Sequence, residues 1–269
     1  MQIDWSILIP VSIPLLAATL AQIIAHALAN KRENIKYKKE CFQNLYSPLI
    51  LLINDYYENE IYKSKLMNLD RVTEEEIHKL NDPNEKFQGI MKIISQNLKY
   101  AEHDLISQFH ITRNFHQCEN WIQANHLKFQ LMYAFCKNFN KIANDLKIKM
   151  PKITEDIIFH FHFYQMLNKC YVSAIDDDFY NFYNFAIRVH GNRRKKCFKL
   201  LKWIENIDNN FHSIFAFRLL FFSKFYWNFT YRRTFTLLDI ICKDLNKEYP
   251  QESYRWNYVI KLGRSHIID

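Results

Sequence analysis

Glycine is nearly missing from this chain, with three among 269 residues, and proline is scarce at six. These turn formers make up about 7% and 5% of an average protein, and a chain so poor in them cannot close many short strands with tight turns. Sandwiches and barrels are thereby disfavoured and an all-α fold is expected. Cysteine is present six times, at 41, 118, 136, 170, 197 and 242, but with no C-x-x-C pair and no close metal spacing. That excludes a stapled disulfide scaffold and a zinc ribbon, and points to buried free thiols in a reducing compartment. Catalytic signatures are missing too. There is no H-E-x-x-H, no G-x-x-x-x-G-K-[ST] phosphate loop, no G-x-S-x-G nucleophile turn and no paired-carboxylate motif. No catalytic, cofactor-binding or metal-ligating residue is assigned, and the balance tips away from an enzyme, although an unfamiliar RNA- or nucleotide-processing site stays open.

Charge is absent from one long stretch. Between Trp5 and Asn30 there are 26 residues without Asp, Glu, Lys or Arg, after which Lys31, Arg32, Lys36, Lys38 and Lys39 crowd together. At about 1.5 Å per residue the stretch exceeds the roughly 30 Å hydrocarbon core of a bilayer. Trp5 stands where an aromatic interface anchor belongs, and a single Asp4 before the run against the basic cluster after it keeps the following chain on the cytoplasmic side. The N-terminus is then outside. A cleavable signal would need a basic start and a short apolar core; Asp4 and the overlong run oppose it, while Ala27-Leu28-Ala29 imitates a cleavage site. A buried helix of a soluble protein is the third reading, favoured by Gln22, His26 and the prolines at 10 and 14, which dilute the hydropathy.

Ala17, Ala21, Ala25 and Ala29 recur every four residues and form a stripe of small side chains that lets helices approach closely. Gln22 and His26, also four apart, lie beside the stripe, suited to hydrogen bonds between helices or to a watery lumen. Frequent alanine in membrane helices is the plainer explanation.

Past the basic residues, Phe42, Leu45, Leu49, Ile50, Leu52 and Ile53 keep helical spacing, extending the first helix or restarting it, with Pro48 marking a bend or a start. The span, the basic stretch and Leu45-Tyr46-Ser47-Pro48-Leu49, an LYxPL segment, resemble bacterial single-pass membrane proteins, among them membrane effectors of antiphage systems. The resemblance covers the first quarter of the chain and implies residence in the bacterial inner membrane with a cytoplasmic C-terminal domain. Helical RNA-cutting effectors carry R-x-x-x-x-H; none of the eleven arginines here has a histidine five positions on, and Arg113-x-x-His116 comes nearest.

The chain divides into a transmembrane helix (1–30), a basic juxtamembrane segment and helical stalk (31–62), a polar connector (63–86) and a helical cytosolic domain (87–269). The connector is expected to hold a short helix opened by the capping box Thr73-x-x-Glu76 and stopped before Asp82-Pro83. Helices are then predicted over 85–108 and 114–146, the second with Trp121, Ile122, Leu127, Leu131, Phe135 and Phe139 as its apolar stripe. Further helices are predicted from an N-cap at Thr154 to about 175, after the Asp176-Asp177-Asp178 cap, from Gly191 to about 207, and from 211 through 231 into LLDIICKDL. A hinge falls over 148–153.

The net charge of +8 suits an anionic partner. It is densest at Arg193, Arg194, Lys195, Lys196, Lys199 and Lys202, a candidate anion-binding cluster for lipid, nucleic acid or a nucleotide, with a solvated helix face as the plainer alternative. Positive charge at a helix start opposes the macrodipole and asks for a reason. The aromatic run around Arg218 and Lys224 reads as a core helix, or else as an interfacial one, rather than a second span. His160 and His162 point to opposite sides of a helix and cannot share a metal; His103 and His110 share a face, and with His116 and Cys118 read better as ordinary polar positions.

The expectation is a membrane-anchored homo-oligomeric effector, forming a pore or disrupting the membrane in antiphage defence. Its partners are membrane lipid, further copies of itself, and a cytosolic protein, nucleotide or nucleic acid as trigger. A passive membrane-tethered scaffold or receptor for a cytosolic partner is the alternative.

Overall fold

The computed structural model describes the backbone of residues 5–67, 73, 82–115, 121–172, 179–211, 220–247 and 249–268, and their side chains except 5–16, 115, 121–122, 179–180, 207–211, 220–227 and 266–268. Every regular element among the described residues is helical, as the shortage of turn formers predicts. The first helix, α1 (Trp5–Cys41), continues through both prolines and through the change to basic sequence. It passes into a π turn, Phe42–Tyr46, and on into α2 (Ser47–Met67), with Cys41 and Ser47 both in right-handed helical conformation. The wide turn has a local cause. Pro48 lacks an N–H and its ring crowds the preceding turn, and the backbone loosens there, Ser47 N–H donating to Phe42 O five residues back. In place of a bend or restart, Pro48 follows a widened turn inside one helical path.

Exposure changes sharply along that path. Side chains from Ala17 to Tyr37 are all exposed, whereas Cys41, Leu45, Tyr46, Leu49, Ile53, Tyr56 and Tyr57 are buried. The segment read as a stalk therefore splits at Cys41, and its second half belongs to the core.

Helix α3 (Pro83–Gln96) starts where Asp82 caps it, the carboxylate accepting from Asn84 N–H at 2.9 Å with proline in the first turn. Phe87, Ile90, Met91 and Ile94 give it one buried face. The single helix expected over 85–108 is broken: Asn97 leaves helical geometry and its Nδ2 caps Ile93 O, a 3₁₀ turn follows at Leu98–Tyr100, and α4 (His103–Phe115) begins afresh. Next come α5 (Trp121–Asp145), α6 (Lys152–Lys169), α7 (Phe179–Ala186), α8 (Asn192–Phe211), α9 (Leu220–Asn246) and α10 (Pro250–Ile268). Helix α6 opens after Pro151, not at Thr154, which is buried in its first turn and caps nothing. Thr73 is exposed, while its expected box partner Glu76 and the Asp176–Asp178 cap lie outside the described residues, as do the side chains of Arg218 and Lys224.

Two helices end in left-handed residues that are not glycine. After α5, Lys147 (φ 56°) donates to Asn144 O and Ile148 N–H to Ala143 O; after α6, Tyr171 (φ 54°) donates to Asn168 O and Val172 N–H to Leu167 O. Both are Schellman motifs, where glycine is usual.

The core is aromatic; its largest fully buried side chains are all Tyr or Phe. The π turn runs antiparallel to α5, with Phe42 against Phe139 at 5.7 Å and Tyr46 stacked on Phe135 at 5.3 Å between ring centres, and α2 then meets α6 through Tyr57 against His160 and Phe161. Helix α6 is antiparallel to α5 as well, Tyr133 meeting His162 and Phe129 meeting Tyr164. Helix α8 lies along α6 through Phe159, His162 and Phe198. Helices α9 and α10 pair antiparallel, Ser253 Oγ donating to Cys242 O at 3.0 Å, and Trp256 stacks on Phe185 of α7 at 4.1 Å.

Among the described residues no helix is long and apolar enough to cross a membrane. The expected span is therefore not carried by the described part of α1 alone: the fourteen residues from Ala17 to Asn30 cover about 21 Å, short of a bilayer core. Its other half, 5–16, is helical, with side chains outside the described residues.

Candidate functional site

Ala17, Ala21, Ala25, Ala29, Gln22 and His26 all lie on the projecting part of α1, and all are exposed. No other part of the described chain covers them. Beside them Leu20, Ile23, Ile24 and Leu28 are each at least half exposed, at 58%, 64%, 58% and 50%. An apolar surface of this kind on a folded chain signals lipid or another protein surface. The helix is joined to the helical body by Tyr37, whose hydroxyl donates to Lys99 O at 3.4 Å, by Lys38, whose ammonium pairs with Asp145 Oδ2 at 2.6 Å, and by buried Cys41.

The six basic residues of α8 do not act together. Arg194 is turned inward: its Nε donates to Val189 O at 2.8 Å, its guanidinium pairs with Asp156 of α6, and it lies over the Phe159 ring. Arg193 pairs with Asp244 of α9 at 2.5 Å; with Lys247 also bonded to it, that carboxyl is held below the usual carboxylate range. These two arginines tie α8 to its neighbours and are removed from the anion-binding candidates. Their cost against the macrodipole is offset by the two aspartates. Lys195, Lys196, Lys199 and Lys202 remain exposed, Lys199 lying over the Trp203 ring.

The histidines of α6 are core residues. His160 Nδ1 and the Tyr57 hydroxyl are 2.8 Å apart, and His160 Nε2 has no hydrogen-bond partner among the described residues. His162 Nδ1 lies 2.7 Å from Ile158 O, and since a carbonyl only accepts, Nδ1 carries the proton. Burial depresses both rings, His160 to about 3, helped by nearby Arg194, and His162 to about 4. Both stay neutral at physiological pH. No group of three potential ligands that could hold a metal occurs among the described residues. His103 and His110 are exposed on α4, while His116 and Cys118 lie outside the described residues. Cys41, Cys136, Cys170, Cys197 and Cys242 are free and buried, and burial pushes the Cys197 and Cys242 thiols up to about 12. Such thiols are inert.

Sequence reasoning missed a cleft of about 510 Å³ where α1 joins the body, walled by Asn34, Tyr37, Lys38, Glu102, His103 and Lys141. Its charges are already matched, Lys38 with Asp145 and Lys141 with Glu102 at 3.3 Å. No spacing in the chain announces it, since it forms only when three distant segments meet. Also unforeseen is buried Lys128, which donates to Asn84 Oδ1 at 3.0 Å; burial lowers its ammonium below the ordinary value and raises the neighbouring Glu60 carboxyl. No family model, curated protein or solved structure matches this chain.

Proposed function

We propose that the protein is a membrane-anchored, self-associating effector whose N-terminal helix enters the bacterial inner membrane while the helical body stays in the cytoplasm. The observation that carries this reading is the exposed apolar length of α1, from Ala17 to Leu28, which the body leaves uncovered. Lipid covers such a surface, and the alanine stripe lets two copies of the helix approach within it. Residues 5–30 together have the length of a span, and the basic residues from Lys31 onward hold the following chain inside. In an assembly of several copies, Gln22 and His26 face the shared axis and give water and ions a polar path. A cytosolic trigger that binds the assembled state more tightly than the dispersed one shifts the population toward permeabilisation.

The first test is the protein mass of the full chain in mild detergent, alongside the Ala21→Leu variant. A closed oligomer that Ala21→Leu dissociates, together with loss of membrane potential on overexpression of the unaltered chain, is the expected result. A monomer, or an oligomer and toxicity indifferent to the substitution, overturns the self-association.

A passive scaffold is favoured by one separate observation: Tyr254, Tyr258 and Leu262, four residues apart on α10, are exposed at 78%, 60% and 45%. Such a line suits docking of a partner protein. In that case the chain stays monomeric, and toxicity depends on the partner.

A further inference from the structure

The ion pairs fix which end of the helical body faces the root of α1. Lys38 of α1 pairs with Asp145 at the C-terminus of α5, so the projecting helix leaves the body at that end. Helix α6 starts at the same end because it is antiparallel to α5. Asp156 in its second turn pairs with Arg194, which brings the start of α8 there, and Arg193 pairs with Asp244, which brings the end of α9. Four helix termini and the loops joining them thus form one face around the base of α1. Its three aspartates, Asp145, Asp156 and Asp244, are each matched by a cation from a neighbouring helix. Also exposed on this face are Lys147, Lys149, Lys152, Lys195 and Lys196, beside Lys247, which is bonded to Asp244, and against Glu155.

We infer that these five lysines form a docking face for an anionic membrane surface, which seats the body against the bilayer that α1 enters. The sequence hides this set, since three of its members stand far from the 193–202 cluster and two members of that cluster are spent internally. Lipid is favoured over nucleic acid by position: the lysines surround the base of a helix whose next turns carry Lys36, Arg32 and Lys31 against Glu33, and then no charged residue as far as Trp5. Each lysine close to an anionic leaflet adds attraction, and the effect dies away within a screening length of about 8 Å in physiological salt. The inference rests on the anchor proposed above.

The full chain carrying Asn192→Cys, an exposed position at the start of α8, is labelled with a donor dye and reconstituted into vesicles holding an acceptor-tagged lipid. Vesicles of phosphatidylcholine alone are compared with vesicles that also contain phosphatidylglycerol. Energy transfer is expected to rise with phosphatidylglycerol, and the rise to vanish in high salt and when all five lysines become serine. Replacement by arginine should preserve it. Equal transfer in both lipids, or a rise that survives the serine replacement in a variant with unchanged circular dichroism, overturns the docking face. Tight binding of polyuridylate in detergent without any lipid-dependent transfer overturns the choice of lipid. Flotation with phosphatidylcholine vesicles after an alkaline wash tests the anchor separately. If that fails while the lysines still direct binding to phosphatidylglycerol vesicles, the anchor falls and the docking face stands.

Discussion

The projecting part of α1 and helix α6 invert the usual relation between hydropathy and burial. From Ala17 to Asn30, α1 has no charged residue and is exposed throughout. Helix α6 carries two histidines and a glutamine in its middle, yet every residue from Ile157 to Leu167 is buried. The polar atoms of α6 are admitted because most find partners: Tyr57 at His160, the Ile158 carbonyl at His162 and Tyr164 O–H at His126. The stretch of α1 from Ala17 to Asn30 has no comparable neighbour among the described residues. Apolar sequence therefore marks what must be covered, and only the fold decides whether the chain itself does the covering.

Truncation should separate the two helices most sharply. Phe161→Ala in α6 removes a ring packed on Tyr57 and Phe129 and should cost about 3–5 kcal/mol in denaturant melts of the detergent-solubilised chain. Ile24→Ala in exposed α1 should stay within about 0.5 kcal/mol in the same melt. Similar losses at the two sites would mean that α1 is covered by something the single chain does not supply.

Acid sharpens the contrast further. His160 and His162 resist protonation in the folded protein, at about 3 and about 4, whereas unfolded histidines take up a proton near pH 6.5. Below about pH 6.5 the unfolded chain binds protons that the folded chain refuses, so stability is full above that value and falls steadily toward pH 4, by a few kcal/mol in all. His162→Phe, which keeps a ring between Tyr133 and Phe198, should flatten this decline. A decline of unchanged slope would mean that other groups drive acid unfolding.

The far end of α6 supplies two smaller effects. A Cβ at Gly263 of α10 would stand 2.7 Å from the Cys170 carbonyl oxygen and 2.9 Å from a Val172 methyl, so Gly263→Ala should cost about 1–3 kcal/mol by forcing α10 off α6. Tyr171→Gly should do the opposite and stabilise by up to about 1 kcal/mol, because its left-handed backbone strains any residue with a Cβ. A lower melting temperature for Tyr171→Gly would show that its exposed ring contributes more than the strain it causes.

Legibility followed the range of the interactions. The shortage of glycine and proline was enough for the helical class, and the spacing of Leu131, Phe135 and Phe139 gave a true buried stripe of α5. A helix start near Glu85 was readable as well, two residues from the observed Pro83, though the cap that Asp82 provides there was not. Features that depend on one backbone carbonyl or on a distant partner were out of reach. Asn97 breaks a run that is helical by pattern because its amide competes for a carbonyl. Lys147 and Tyr171 end helices without the glycine that would have marked them. The basic cluster divides because Asp156 and Asp244 arrive from other helices, and no local pattern records that arrival.

The π turn has one more consequence. Because the path from Trp5 to Met67 stays helical throughout, the chain contains a single shaft of roughly 90 Å, gripped by the body at one end and bare from Ala17 to Asn30. A shaft transmits torque. Rolling its bare end about the long axis turns the ring of Tyr46 against Phe135, and the widened turn beside Pro48 is the weakest link at which that twist can slip.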